Sequence, residues 1–350
     1  MLSNLVVCYL FLGGLGGGAC MVLSVLGLFS PRDAIAAMCP TKRNVVLPGD
    51  TTHCGGSLAC VARASWYFAP VGAYRKLFVA GYTAALVALF LGAFCLVADL
   101  ARADRVALLF MSPTPSFITV GTWFLVAAFT LTCTMLVAWG TAPSLRIGVV
   151  RALQALSFVV GLGVALYTGL LLQSIAAVPL WASPWLPVLF LLSSASCGVA
   201  LVLLSSHVAG SLVAFSAVMR RLLAVDALVI VLEAVATILL VIASLRGGAP
   251  LNAADGVAFA ASPTDAAAVA SAGELLCGAD AWIFWLCFVA IGLVAPLVLE
   301  CSRLNDSRKR PAIACVIACC VLLGGFAMRY CIIMAGAHPV VVSAMTVLAR

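Results

Sequence analysis

Long apolar runs separated by short polar stretches dominate this sequence. Eight runs reach spanning length, at roughly 4–29, 76–98, 116–139, 149–172, 185–206, 222–244, 280–299 and 312–334. Each holds about 20 or more mostly apolar residues, which as an α-helix cross a hydrocarbon core of about 30 Å. Lipid offers no partner to backbone N–H and C=O groups, so the runs are predicted to be helical. The pattern predicts a single all-α integral membrane domain over 1–350, with eight transmembrane helices.

Two connections between these runs are long. Residues 30–75 are rich in Gly, Pro and Cys, and residues 245–279 are rich in Ala. Neither connection is large enough to form a catalytic domain. Chemistry is therefore expected inside the membrane or on a partner protein.

The composition agrees with a membrane environment. Of the 350 residues, 65% are hydrophobic and 9% are charged, whereas soluble domains carry roughly 25% charged residues. The net charge of +7 comes from residues at helix ends and in loops and forms no basic patch with interleaved aromatics. We therefore expect no nucleic-acid partner.

The distribution of Lys and Arg predicts the orientation. Most of them lie in the connections after the first, third, fifth and seventh runs, whereas the other connections carry only Arg102, Arg105 and Arg246. The positive-inside rule then places 30–75 in the cytoplasm, and 245–279 and both termini outside. The first run has no charged segment before it, so it is predicted to span the cytoplasmic (inner) membrane rather than to act as a cleaved signal.

Cysteine and histidine patterns argue against a metal or redox centre in this protein. Most of the 15 cysteines lie in apolar runs, and no CxxC or CxxCH occurs, so no iron–sulfur cluster is expected. The histidines, His53, His207 and His338, lie in loops or at helix ends, so no haem is expected. The first long connection contains a possible but irregular zinc-ligand set, for which free thiols are the simpler interpretation: Cys39, His53, Cys54 and Cys60.

Glycines crowd the first helix, in FLGGLGGGAC. Gly13 and Gly17 form one GxxxG pair, and Gly14 and Gly18 form a second. Small residues at this spacing let helices approach closely, so packing is the first interpretation. The alternative is that these glycines shape a groove for a flat ligand.

Five ionisable residues lie in or at the ends of the predicted helices. Asp99 and Glu300 end the second and seventh helices, where an interfacial anchor or a salt bridge is the simplest role. Glu233 and Arg329 lie deeper, where a charge is costly and indicates a function or an essential buried pair. Asp226 precedes Glu233 by seven residues, which places both on one face of the sixth helix.

Six segments in order resemble one family. They are FLGGLGGG in the first helix, the stretch from Asp99 to Arg105 followed by SPTPSF, the stretch from Tyr167 to Leu204 with its Tyr-Thr-Gly and Pro-Leu-Trp marks, the Asp226/Glu233 pattern, WIFWLCFVAIGLVAPLVLE, and GGFAMRYCIIMAG. Together they resemble the NrfD/PsrC family, the membrane subunits of polysulfide-reductase-type complexes.

This resemblance implies two four-helix bundles and a role as the quinone- or quinol-binding membrane anchor of a respiratory oxidoreductase, with menaquinone as the usual quinone. It also implies a partner iron–sulfur subunit with four ferredoxin-type clusters, which serves a molybdopterin or multihaem catalytic subunit. The protein itself is then expected to carry no redox centre and no site for the terminal substrate.

The resemblance also suggests site residues. Tyr167 matches a quinone-contacting tyrosine of the family, and Tyr9 stands where the characterised type has a histidine. In the predicted topology both lie toward the outer face, as do Asp99, Trp181 and Arg329. The hypothesis is that the two tyrosines frame the quinone headgroup, while Asp99 and Arg329 tune it or relay protons.

Alternatives stay open at this stage. Asp226 and Glu233 could start a proton path toward the outer site, or they could form a structural hydrogen bond between bundles. The protein could also be a secondary transporter, which likewise carries polar residues inside the membrane. A structural anchor without its own quinone site is a third possibility, because of the departure at Tyr9.

Overall fold

The computed structural model describes residues 4–30, 71–100, 117–141, 146–175, 178–211, 215–246, 263–305 and 311–348. Every regular element in these ranges is a helix, which confirms the all-α prediction for the described residues. In sequence order the helices are α1 (Asn4–Leu28), α2 (Val71–Leu100), α3 (Phe117–Thr141), α4 (Ile147–Gln173), α5 (Trp185–Val208), α6 (Ser216–Leu245), α7 (Pro263–Cys277), α8 (a π-helical part, Ile283–Val294, continued by an α-helical part, Ala295–Asn305) and α9 (Pro311–Leu348).

Several features discussed above fall outside these ranges. They include most of the connection 30–75 with its possible zinc ligands Cys39, His53, Cys54 and Cys60, residues 247–262 of the second long connection, most of the SPTPSF motif, and the two arginines after α2, Arg102 and Arg105.

Eight of these helices, all except α7, are long and apolar enough to cross a membrane. The predicted number of spans is confirmed, and the molecule is a multi-pass membrane protein. Large apolar side chains on the outer faces are exposed, such as Phe90, Phe94 and Ile238. In a bilayer these faces contact lipid tails, so their exposure has no cost in free energy.

The threonine hydroxyl groups of α3 are satisfied within the helix. On α3, Thr130, Thr132 and Thr134 donate to backbone carbonyls four residues earlier, at 2.8, 2.6 and 2.8 Å. Such back-bonding gives a buried hydroxyl its partner without a second helix. These threonines therefore need no functional explanation.

Helices α1 and α5 form the interior of the molecule. In each of them 67% of the most apolar stretch is buried, against 28% in α3. The largest contacts of α1 are with α2, α4 and α5. The glycine-rich helix thus lies between the other helices of the amino-terminal half and α5.

Close contacts of α1 depend on its glycines. A Cβ on Gly18 would overlap the backbone carbonyl of Ser194 on α5, and a Cβ on Gly17 would lie 2.9 Å from the carbonyl oxygen of Gly161 on α4. On the facing side, a Cβ on Gly198 would lie 2.5 Å from the carbonyl oxygen of Gly18. The α1–α5 crossing therefore brings two backbones into direct contact, which only glycine allows.

The division into two four-helix bundles stays a prediction. Helices α1 to α4 contact one another in sequence around a ring, and α5, α6, α8 and α9 do the same. The contact between α1 and α5 is nearly as large as those that hold α1 to α2 and α4. The described contacts alone therefore do not separate the molecule into two bodies.

The connection 245–279 contains a helix that the hydrophobic pattern did not indicate. Helix α7 (Pro263–Cys277) packs on α9 and α6. Its sequence is rich in alanine, the strongest helix former, and begins with proline, which suits the first helical position. The pattern of apolar runs predicts a loop here because the helix is too short to span.

Candidate functional site

Four helices enclose a groove in the amino-terminal half. It lies among α1, α2, α3 and α4. Its lining residues are Tyr9, Gly13, Gly92, Leu96, Gly121, Thr122, Leu125, Val164, Tyr167 and Thr168. The walls are mostly apolar, and the hydroxyl groups in the lining belong to Tyr9, Tyr167, Thr122 and Thr168.

Tyr9 and Tyr167, predicted as a pair, line this one groove. Tyr9 comes from the first turns of α1 and Tyr167 from the last third of α4, so both lie toward the same end of the bundle. Tyr9 also lies within electrostatic range of Asp99, near the end of α2. Among the described residues, neither tyrosine hydroxyl has a hydrogen-bond partner. Both hydroxyls are therefore available to a ligand.

A glycine on α3 sets the position of Tyr167. A Cβ on Gly121 would overlap the Tyr167 ring, so the ring lies directly against the backbone of α3. A parallel contact occurs at Gly163, whose Cβ would overlap the ring of Phe124. At the α3–α4 interface, two aromatic rings thus pack against glycines, and one of them, Tyr167, lines the groove.

Arg329 lies in a different polar cluster. It is fully buried on α9, and its guanidinium donates to Ser193 Oγ at 3.2 Å and to Ser194 Oγ at 2.8 Å. A third bond goes to the carbonyl oxygen of Gly325 at 2.9 Å. Its carbon Cζ also lies 5.2 Å from the centre of the Phe190 ring. The structure therefore places Arg329 between α5 and α9, and it does not line the groove.

The Arg329 cluster touches the back of α1. A Cβ on Gly14 would lie 2.6 Å from Ser194 Oγ and 2.8 Å from the guanidinium of Arg329. Gly13, the preceding residue, faces the groove. Helix α1 therefore separates the groove from the arginine by the width of its own backbone.

Trp181 also lies away from the groove. Its indole N–H donates to the carbonyl oxygen of Ile332 on α9 at 3.0 Å, and its ring covers Gly336. It is 1% exposed. These contacts fasten the α4–α5 connection to α9, which is a structural role.

Three buried carboxyl groups form a series that starts beside Arg329 and follows α6 and α8. Glu233 on α6 lies beside Ser193 and within electrostatic range of Arg329 and Asp226. Asp226, two turns earlier on α6, faces Ser196 of α5 and Glu300 of α8. Asp226 and Glu300 are both 0% exposed. Within the described part of the sequence, the oxygens of these two carboxyl groups and Ser196 Oγ face one another without a well-formed hydrogen bond.

Glu300 is the residue whose position sequence reasoning misjudged. Its place at the end of an apolar run suggested an interfacial anchor or a salt bridge, but the structure buries it against Asp226. No sequence signal separates the two positions, since a glutamate ending a run of apolar residues can face inward as well as outward. Only the packing of α8 on α6 distinguishes the two.

Together these features define a multi-pass helical membrane protein with one tyrosine-lined groove and a separate series of buried ionisable residues. Within the described ranges, no group of three His, Cys, Asp or Glu side chains could hold a metal ion.

The protein belongs to the polysulphide reductase NrfD family, whose profile matches residues 54–340. The resemblance noted from the sequence motifs is thereby confirmed. Helix α1, which supplies Tyr9 and Gly13, precedes the matched range.

A curated relative agrees with this assignment. Component C of the polysulfide reductase of Wolinella succinogenes is 30% identical over 193 residues, which cover 53% of the present sequence and 54% of that protein. The match thus spans about half the length of each protein.

Proposed function

We propose that this protein is the membrane anchor and quinone-binding subunit of a respiratory oxidoreductase, and that it lies in the cytoplasmic membrane with both termini outside. The observation that carries the proposal is that Tyr9 and Tyr167, from helices far apart in sequence, line the same groove. Ligand sites of this kind combine apolar walls with a few convergent polar groups.

The groove suits a quinone headgroup chemically. A quinone has two carbonyl oxygens that accept hydrogen bonds, and a tyrosine hydroxyl can donate one. Tyr9 and Tyr167 would each bind one carbonyl, while the glycine and leucine walls contact the ring. Asp99, near Tyr9 and half-buried, would exchange the protons that quinol oxidation releases or quinone reduction takes up.

Membership of the family supports the wider assembly. Family resemblance suggests menaquinone as the quinone, and a four-cluster iron–sulfur subunit that leads to a molybdopterin or multihaem catalytic subunit. Electrons would pass between the quinone and the nearest cluster of that partner, because this protein is proposed to carry no redox centre. The name of the curated relative, one lettered component of a polysulfide reductase, agrees with a multi-subunit complex.

Purification from native membranes in mild detergent tests the proposal. We expect an iron–sulfur subunit to co-purify and quinone to be extracted in about a 1:1 ratio to this protein. A partner without quinone would favour a structural anchor. A protein with neither partner nor quinone would overturn the proposal and favour a secondary transporter.

We also propose that the buried carboxyl groups form a proton path from the cytoplasmic side. Asp226 and Glu300 would receive the proton, and Glu233, beside Arg329, would pass it on toward the outer site. What supports this is the burial of three carboxyl groups around α6 with one guanidinium to balance them, because buried carboxylates without counter-charges must bind protons. The alternative is a purely structural contact between α6 and α8.

Reconstituted complexes distinguish these two roles. We expect Glu233→Gln and Glu300→Gln to retain quinol turnover yet lose proton movement across the vesicle membrane. Asp280→Asn, in the turn before α8, serves as the control. Normal proton movement in both glutamine variants would exclude the path and leave the structural role.

A further inference from the structure

The carboxyl groups of Asp226 and Glu300 are buried together without a basic partner among the described residues. The polar groups that act on Asp226 are Glu300 and Ser196, and the one that acts on Glu300 is Asp226. Arg329, which is fully buried in the same half of the molecule, lies beside Glu233 instead. Buried carboxyl groups are stable only when a positive charge balances them, so this pair must take up protons or another cation.

A serine on α5 adds a neutral oxygen to the pair. Ser196 is 1% exposed, and its hydroxyl lies against Asp226. Two other serines of α5, Ser205 and Ser206, donate to the carbonyl oxygen of Val202 in their own helix. Within the described ranges Ser196 Oγ makes no such bond. Its oxygen is therefore turned toward the carboxyl groups rather than satisfied by the backbone.

The arrangement of these oxygens differs from that of a simple proton-sharing pair. The four carboxyl oxygens and Ser196 Oγ converge from three helices, and within the described part of the sequence no well-formed hydrogen bond joins any two of them. A carboxylic acid that shares its proton with a carboxylate forms such a bond. Oxygens that converge without bonding to one another are arranged as the ligands of a metal ion are, because each ligand contacts the ion.

We propose that Asp226, Glu300 and Ser196 form a binding site for Na⁺ between α5, α6 and α8. Hard cations take carboxylate and other oxygen ligands, and all three side chains supply oxygen. The inference uses the carboxyl pair of the proposed proton path, and it does not depend on the quinone site.

Ligand number and charge favour Na⁺ over other common cations. Ca²⁺ takes about six to eight oxygens, and Mg²⁺ keeps several waters in a near-ideal octahedron. The three buried side chains offer five oxygens at most. K⁺ is larger than Na⁺, so its centre stays farther from a charged carboxylate oxygen and the attraction is weaker. A small monovalent ion therefore suits this set.

Na⁺ at this site would compete with protons at the start of the proposed path. In the proposed orientation, Asp226 and Glu300 lie in the cytoplasmic halves of their spans, Val218–Leu245 and Ile283–Ser302. Na⁺ would therefore enter from the cytoplasm. Its binding releases a proton held by the pair, so the net charge of the site does not change.

Binding of radioactive Na⁺ to the purified complex, at constant ionic strength in choline chloride, tests the inference. We expect wild type to bind about one Na⁺ per protein, displaced by unlabelled Na⁺ far better than by K⁺. Ser196→Ala removes one ligand and should raise the Kd roughly tenfold, and Glu300→Gln should abolish binding. The matched control is Ser206→Ala, whose buried hydroxyl bonds to its own helix, and it should bind as wild type does.

The thermal unfolding midpoint is the second readout, because an ion that binds only the folded state raises it. Replacing KCl by NaCl should raise the midpoint by about 2–4 °C in wild type and in Ser206→Ala. Glu300→Gln should show no difference between the two salts. Each variant is compared with itself, so a change in its intrinsic stability does not affect the result.

The outcomes separate the Na⁺ site from the proton path. Wild type without saturable Na⁺ binding would overturn the Na⁺ site and leave the path to its own test in vesicles. Equal Na⁺ binding by wild type and Glu300→Gln would place the ion elsewhere, and equal displacement by K⁺ would overturn the choice of Na⁺. Na⁺ binding lost in Glu300→Gln, with normal proton movement in that variant, would establish the site and exclude Glu300 from the path.

Discussion

At the scale of single residues, similar chemical groups have different surroundings in this protein. Arg329 has hydrogen bonds to two serines and a carbonyl, whereas the tyrosine hydroxyls in the groove have no such partner among the described residues. A polar group bonded to neighbouring helices holds the fold together, and one without such bonds at a cavity is available to a ligand. This contrast gives two predictions.

Tyr167→Phe should reduce quinol turnover of the intact complex by on the order of tenfold or more, because a hydrogen bond in a site that excludes water contributes about 1–3 kcal/mol. Steady-state kinetics with naphthoquinol measure this. Tyr82→Phe is the control, since Tyr82 is buried in the α1–α2 region away from the groove. Unchanged turnover in Tyr167→Phe would remove this tyrosine from the site.

Arg329→Lys should destabilise the protein while leaving the groove intact. A lysine ammonium cannot reproduce the planar fork that binds Ser193 and Ser194. Buried hydroxyls left without partners cost about 1–3 kcal/mol, which thermal inactivation in detergent would detect. The matched control is Arg220→Lys, on the exposed start of α6. A wild-type inactivation temperature for Arg329→Lys would contradict the structural role.

At the scale of helices, the four glycines of the first helix do not act alike. Gly14, Gly17 and Gly18 face α9, α4 and α5 at close range, and Gly13 faces the groove. The glycine motif therefore contains residues in close helix contacts and one residue that lines a groove. The helix packs on one side and lines the groove on the other.

Gly18→Ala should lower the thermal unfolding midpoint, because its methyl group would overlap the carbonyl of Ser194 and push α1 from α5. Overpacking of this kind costs about 1–3 kcal/mol. Differential scanning fluorimetry in detergent is the measurement, with Gly13→Ala in the same motif as the control. Equal midpoints for the two variants would show that the α1–α5 contact yields without cost.

Gly121→Ala should weaken quinone binding through the Tyr167 ring, which the added methyl would displace. Gly163→Ala makes the matched change under the Phe124 ring, outside the lining of the groove. We expect a Kd at least several-fold higher in the first variant only. Equal effects of the two variants would attribute the loss to the α3–α4 packing.

At the scale of the whole molecule, the groove residues and the buried ionisable residues of the described helices form two separate systems. The groove opens among α1 to α4, and the Arg329 and carboxyl series runs among α5, α6, α8 and α9. The backbone of α1 at Gly13 and Gly14 is where they approach each other. Any coupling between quinone chemistry and proton movement would therefore pass through this helix.

The orientation in the membrane gives a further prediction. Ser174→Cys, at the end of α4, should react with a membrane-impermeant maleimide from outside the cell, and Val208→Cys, at the end of α5, only after permeabilisation. Both positions are exposed. A background without accessible native thiols is the control. The reverse labelling pattern would place the termini in the cytoplasm.

The sequence alone determined the class of this protein. An apolar run of spanning length must form a helix in lipid, since its backbone has no other hydrogen-bond partner, so the eight spans followed from the pattern. The depth of each residue in the membrane also followed from the sequence, because position along a spanning helix sets position across the bilayer. That is why Tyr9 and Tyr167 could be placed at one end.

Only the tertiary structure decided which polar residues at that depth meet. Tyr9 and Tyr167 share a groove, while Trp181 and Arg329 bond to other helices. The physical reason is that these helices are apolar on nearly every side, so no amphipathic period shows which face turns inward. The rotation of each helix comes from close packing at glycines and buried polar groups, which form only once the helices are assembled.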